Sequence, residues 1–188
     1  IRIFARNLPL LDSWEAKMEW LAFPIRKISH FANKNSATGS KKNIAAHYDL
    51  GNKLYTRFLD DSMMYSAAIY PSENSTLAQA QITKLKAICD KLQLTPEDHL
   101  IEIGTGWGGL AVFAAKNYGC KVTTTTISEE QHQYTQELVN NECLQDKITL
   151  LKKDYRLLEG KYDKLVSIEM IEAVGKEYLP TFFKKCFQ

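Results

Sequence analysis

Long apolar runs are absent from this 188-residue sequence. A membrane-crossing helix needs roughly 18 to 20 nearly uninterrupted apolar residues, and no stretch approaches that. Residues 1–11 carry Arg2 and Arg6 with no signal-peptide core behind them. The first residue is Ile rather than Met, so the sequence reads as a piece of a longer protein. Cysteine is scarce: Cys89, Cys120, Cys143 and Cys186 lie 31, 23 and 43 positions apart, which fits neither a zinc pattern nor a dense disulfide framework. Mostly buried free thiols in a reducing compartment are expected. Compositional bias is also missing. With 45% hydrophobic and 24% charged residues the chain is neither disordered nor fibrous, and its length suits one globular unit.

Net charge is small, at +2, but unevenly placed. Pro24 to Lys42 holds Arg26, Lys27, Lys34, Lys41 and Lys42 and no acid. Ahead of it, Trp14, Met18, Leu21 and Ile25 form a helical apolar stripe that Pro24 interrupts. Residues 1–42 therefore read as an arm ending in a polar linker. Two roles stay open for it: a solvated arm packed by a few aromatics, or a basic amphipathic element lying on an anionic membrane surface.

Residues 43–60 are helical in pattern and rich in aromatics. Thr76 to Gln79 predicts a capping box opening a helix whose face is Ile82, Leu85, Ile88, Cys89 and Leu92, with Pro96 beyond it. Strands are expected at 99–103, 120–127, 148–152 and 164–168. Helices are expected at 110–118, stopped by Gly119, and from a second capping box, Ser128 to Gln131, through about Asn141. Tyr178, Phe182, Phe183 and Phe187 belong to a last, aromatic helix. This alternation predicts an α/β fold with an open parallel sheet.

Four of the nine glycines fall at 104, 106, 108 and 109, where the first strand turns into a helix. Glycine lets a ligand approach the backbone there, and the helix start offers free N–H groups. The spacing satisfies the dinucleotide fingerprint, yet the second strand ends in Thr123 to Thr126 with no carboxylate to hold a ribose. An acid, Glu102, instead sits two residues before the first glycine. That form, Glu-Ile-Gly-x-Gly, is similar to the loop of S-adenosylmethionine-dependent methyltransferases. A tight turn without a ligand is the plain alternative.

Five segments then carry a closer resemblance: AHYDLGN at 46–52, MYSAA at 64–68, EIGTGWGGL at 102–110, TISEEQ at 126–131 and SIEMIEAVG at 167–175. Their set and order resemble the cyclopropane fatty acid synthases, including the mycolic acid cyclopropane synthases. The resemblance implies a Rossmann-like, doubly wound methyltransferase domain over 43–188 behind the helical arm at 1–42. The last three strands and a downstream active-site His and Tyr would lie beyond Gln188.

The implied activity is transfer of a one-carbon unit from S-adenosylmethionine to the cis double bond of an unsaturated acyl chain in a membrane phospholipid. The implied cofactor contacts are Glu102, Gly104, Gly106 and Trp107 in the loop, and Tyr48, Tyr65 and Ser66 closing from the N-terminal side. Thr126, Ile127 and Gln131 would hold the ribose and adenine side, with Asp154 and Tyr155 near the adenine. Glu172 would hold a bicarbonate ion acting as base. Glu169 and Glu172 could equally be solvated helix-start carboxylates. No metal site and no nucleic-acid partner are expected. The implied setting is cytoplasmic and peripheral to an anionic membrane, with a homodimer as an open option.

Several positions depart from the family pattern. Ala67 stands where Cys is usual, Ile69 where an aromatic follows, Thr105 within the usual Gly-Cys-Gly, and Ala173 where His often follows the active-site Glu. Thr105 is expected to point away from the ligand. Two rival functions remain: a small-molecule amine N-methyltransferase of the same fold, and a truncated chain that binds cofactor without turnover.

Overall fold

The computed structural model describes residues 52–187, with side chains from Leu54 onward. The expected arm at 1–42 and Tyr48 lie outside the described residues. A short helix, α1 (Asn52–Tyr55), leads through an extended stretch to α2 (Leu77–Leu92). The order then runs β1 (His99–Ile103), α3 (Gly109–Tyr118), β2 (Lys121–Thr126), α4 (Glu129–Asn141), β3 (Ile148–Lys152), β4 (Lys164–Val166) and α5 (Leu179–Phe187). All strand pairs are parallel, in the order β3-β2-β1-β4. Among the described residues, no helix is long and apolar enough to cross a membrane.

The helix boundaries follow from their caps. Thr76 accepts from the Gln79 N–H at 3.2 Å, and the Gln79 side chain accepts from the Thr76 N–H at 2.9 Å, completing the predicted capping box. Gly119, at φ 71°, ends α3 as expected. The second capping box is only half formed. Ser128 accepts from the Gln131 N–H, but the Gln131 side chain turns away to Thr126, a stronger attraction because both groups are buried.

The predicted face of α2 needs correction. Leu85 and Cys89 are buried, but Ile82 is 53% exposed while Gln81 and Lys84 are enclosed. The helix turns these two toward residues 64–66, whose backbone carbonyls they satisfy.

Burial along β1 and β2 is almost continuous, as expected for strands covered on both faces. Alternation sorts β1 by face. Leu100 joins the cluster of Leu85, Leu110, Val122 and Val139, whereas Ile101 and Ile103 join Leu158, Val174 and Phe182 beneath α5. The four threonines of β2 are tolerated inside because each hydroxyl has a partner. Thr123 pairs with the His99 ring, Thr124 with Glu102, Thr125 with the Lys153 carbonyl and Thr126 with Gln131.

Strand β4 stops at Val166, two residues short of the expected end. Ser167 sends its hydroxyl to the Ile103 carbonyl at 2.9 Å instead of extending the ladder, and Glu169 adopts a left-handed φ of 48°. All four cysteines are free, but only Cys89 and Cys120 are buried; Cys143 is exposed and Cys186 half-buried, so the expected burial holds for half of them. On α5 only Phe182 of the three phenylalanines is buried.

Candidate active site

The carboxyl ends of the strands open into a cavity of about 540 Å³. Parallel sheets place their ligands there, because the loops leaving these ends diverge around a topological switch point. Here the switch lies between β1 and β4, where the chain, having moved outward through β2 and β3, returns to the other side of β1.

The glycine loop forms the floor. The N–H groups of Gly104 and Thr105 both donate to the Thr125 carbonyl, at 3.1 and 3.0 Å, pinning the turn to β2. Gly104, Gly106 and Gly108 have φ of 98°, 55° and 87°, a region that side-chain-bearing residues rarely enter. At Gly106 an added Cβ would meet nothing within 4 Å, so its backbone stands open to the cavity. Thr105 is buried, with its hydroxyl enclosed and unpartnered among the described residues. Trp107 is 3% exposed and packs against Tyr55, ring centroids 4.6 Å apart, with Tyr65 edge-on at 6.4 Å.

Glu102 lies directly behind this floor, 3% exposed. Removal from water pushes its carboxyl up to about 8, opposed in part by the hydroxyl of Thr124, which donates at 2.5 Å. The group is therefore held mainly protonated near neutrality.

On the β2 side, Thr126 donates to Gln131 Oε1 at 2.7 Å and accepts from the Ser128 N–H at 3.1 Å. This leaves Gln131 Nε2 with no hydrogen-bond partner among the described residues, at the cavity wall. Beyond β3, Asp154 is gripped by Arg156 through Nε at 2.9 Å and Nη2 at 2.6 Å. That pairing raises the guanidinium's already high pKa, and the Arg156 cation also lies 5.7 Å from the ring centres of Tyr155 and Tyr178. Burial raises the Tyr155 phenol.

Residues 63–68 pass over the cavity from the N-terminal side, carrying Tyr65 and Ser66. Glu169 and Glu172 follow β4 on the opposite wall, both exposed. Glu169 Oε1 accepts from the Ala67 N–H at 2.9 Å.

Twelve of the thirteen residues singled out by sequence thus line one cavity: Tyr65, Ser66, Glu102, Gly104, Gly106, Trp107, Thr126, Ile127, Gln131, Asp154, Tyr155 and Glu172. The thirteenth, Tyr48, lies outside the described residues. Sequence reasoning did not single out Arg156, Lys84 and Gln81. For the last two a signal existed: polar residues at i and i+3 inside an otherwise apolar helical stripe. A second cavity, of about 590 Å³, lies between Leu158–Leu165 and α5, away from the glycine loop. Its walls include Lys185, which is already bonded to the Leu158 carbonyl.

Known proteins match this chain closely. It is 46% identical over 137 residues to the cyclopropane-fatty-acyl-phospholipid synthase of Escherichia coli K12, covering 73% of this chain and 35% of that protein. It is 43% identical over 146 residues to a probable fatty acid methyltransferase of Pseudomonas putida, covering 77% and 37%. The chain thus spans about a third of the length of these curated relatives. Among solved structures, the mycolic acid cyclopropane synthase CmaA1 complexed with SAH and CTAB superposes with a TM-score of 0.75 at 32% identity, over 78% of this chain and 52% of that one. The parallel sheet with flanking helices is the fold of that methyltransferase. A family model described as mycolic acid cyclopropane synthetase matches residues 35–188, and the chain belongs to that family.

Proposed function

We propose that the chain holds S-adenosylmethionine in the 540 Å³ cavity and that the protein uses it to add a one-carbon unit to the cis double bond of unsaturated phospholipid acyl chains. The observation that carries this is the make-up of the cavity wall. A bare glycine backbone, a buried acid behind it and a neutral Thr126–Gln131 pair meet at the strand ends, with no carboxylate terminating β2.

The residues fit such a cofactor. Gly104 and Gly106 let it approach the main chain, Gln131 Nε2 offers a donor to ribose oxygens, and Asp154, fixed by Arg156, offers an acceptor to an exocyclic amine. Tyr65 and Ser66 cover the methionine portion. When bound, S-adenosylmethionine supplies an electrophilic methyl group on a sulfonium. An alkene is a weak nucleophile, so the protein must align it closely and exclude water. Trp107 and Tyr65 provide apolar, electron-rich walls for that purpose. Transfer leaves the neighbouring acyl carbon cationic, and neutrality returns when the added methyl group gives up a proton and its C–H electron pair closes the ring. Glu172 would hold a bicarbonate ion to receive it, and the charge of Glu172 would stabilise the cationic carbon.

Incubating the protein with methyl-labelled cofactor and unsaturated phospholipid vesicles should place label in cyclopropane or methyl-branched acyl chains. Glu172→Gln should lower turnover by about 100-fold or more while leaving SAH affinity nearly unchanged, since it removes an acid–base element rather than a cofactor contact. Label appearing only in small amines would overturn the lipid assignment; the likeness to coclaurine N-methyltransferase, at 23% identity, concerns the fold alone.

The basic stretch at 24–42 is the proposed contact with an anionic membrane surface. Neutralising Arg26, Lys27, Lys41 and Lys42 should abolish most co-sedimentation with anionic vesicles, each charge contributing about 1 kcal/mol. Unchanged sedimentation would remove the arm from the membrane role.

A further inference from the structure

The stretch over the cavity, 63–68, contains no helix or strand. Something other than a ladder must therefore fix its path. Three side chains from distant elements do so. Gln81 Nε2 donates to the carbonyls of Met64 and Ser66, both at 3.1 Å. Lys84 Nζ donates to the Ser66 carbonyl at 3.2 Å and to its hydroxyl at 2.7 Å. From the other wall, Glu169 takes the Ala67 N–H.

These contacts are costly to arrange, which marks them as more than incidental. Lys84 is 4% exposed, and burial lowers its pKa against the opposing fields of Glu169 and Asp60. Gln81 must present its nitrogen to two carbonyls, and its own Oε1 is left enclosed with no partner among the described residues. Glu169 holds a left-handed backbone that a glutamate rarely adopts. Each of the three spends stability on a bond to residues 64–67.

We propose that Lys84 and Glu169, assisted by Gln81, are positioning residues that clasp the 63–68 strap across the cavity, so that Tyr65 and Ser66 close over the bound cofactor. Lys84 anchors the strap to α2 and Glu169 anchors it to the segment after β4. Release of the Glu169 anchor opens the strap, uncovers Trp107 and admits or discharges the ligand. The effect on cofactor binding rests on the cavity being the S-adenosylmethionine site; the effect on strap closure does not.

The test separates the two. In a chain with Trp14 and Trp20 changed to Phe, Trp107 is the sole tryptophan, and acrylamide quenching reports its cover. Lys84→Met keeps the apolar stem and removes the donor. Glu169→Gly removes the acceptor and relieves the left-handed backbone. Glu169→Gln keeps an acceptor. Lys84→Met and Glu169→Gly should raise quenching of Trp107 clearly and weaken SAH about tenfold, with faster dissociation, as loss of a charged hydrogen bond implies. Glu169→Gln should restore most of the wild-type quenching, and Glu169→Gly should do its damage without a lower Tm. A purely structural role predicts quenching that rises only in step with a falling Tm, and that result would overturn the proposal. So would unchanged quenching in Glu169→Gly, which carries the test alone should Lys84→Met fail to fold. If the wild-type chain does not bind SAH, the cofactor assignment fails while the quenching data still decide whether the strap is clasped.

Discussion

Valine at position 108 should destabilise the protein by about 2–5 kcal/mol, whereas asparagine at position 106 should leave it folded and weaken SAH binding about tenfold or more. Both are glycines with positive φ in the same loop, and their surroundings separate them. At Gly108 a Cβ would sit 2.7 Å from Thr135 Cγ2 and 3.2 Å from its hydroxyl, and Thr135 is fully buried within α4. A β-branched residue would also be forced into a left-handed conformation costing roughly 1–2 kcal/mol by itself. The clash adds an overpacking penalty, and together they should lower Tm by about 10 °C. Gly106 has φ 55° and open space where its Cβ would stand. Asparagine accepts that conformation, so Tm should move by only a few degrees. Its side chain would nevertheless occupy the cavity floor, and SAH affinity measured by calorimetric titration should fall about tenfold or more, at least 1.4 kcal/mol. Wild-type affinity in Gly106→Asn would mean that the loop does not face the cofactor.

The second large effect is a dependence of stability on pH through Glu102. The unfolded chain releases this proton near the ordinary value of 4.5, while the folded protein keeps it until about 8. Between those values the native state binds more protons, so this carboxyl makes stability fall as pH rises. The shift corresponds to a loss of about 5 kcal/mol, complete above pH 8. Glu102→Gln retains an acceptor for Thr124 and cannot ionise. Urea unfolding at pH 5 and pH 8.5 should therefore show a wild-type loss that the variant largely lacks; parallel losses would contradict it. A cationic cofactor in the cavity favours the carboxylate. Its binding to the wild type near pH 7 should release protons, seen as an enthalpy that changes with the ionisation heat of the buffer, and the variant should release none from this site.

How much of this was legible in the sequence depended on the range of the forces involved. Thr76 to Gln79 and Gly119 declare their caps because capping is settled within four residues. The hydrophobic runs of β1 and β3 and the threonine-rich β2 have boundaries that fall within a residue of expectation. Periodicity failed where a polar backbone lay nearby: Ile82 was given to the core, but the carbonyls of Met64 and Ser66 claimed Gln81 and Lys84 for it instead. Gln131 looked like a capping partner, yet a buried hydroxyl five residues earlier outcompeted the local backbone. The end of β4 was misplaced for the same reason, since Ser167 bonds to a carbonyl 64 residues away. For the site, motif resemblance supplied the residues that line the cavity. What it could not supply was the support behind them: Arg156 beside Asp154 belongs to no motif, and Lys84 reaches Ser66 from 18 residues away only once α2 has packed.

The bond between Ala67 and Glu169 joins positions 102 residues apart. Contacts of such separation carry a large loop-closure penalty and tend to form late, after local helices and the first strand pairs exist. The bonds that hold the same stretch to α2 span only 15 to 18 residues, so its two sides are secured at very different closure costs. Loss of the single bond to Glu169 would free the stretch from the far wall while the nearer bonds to α2 keep it beside the cavity, a hinge made by unequal tethering rather than by a flexible loop.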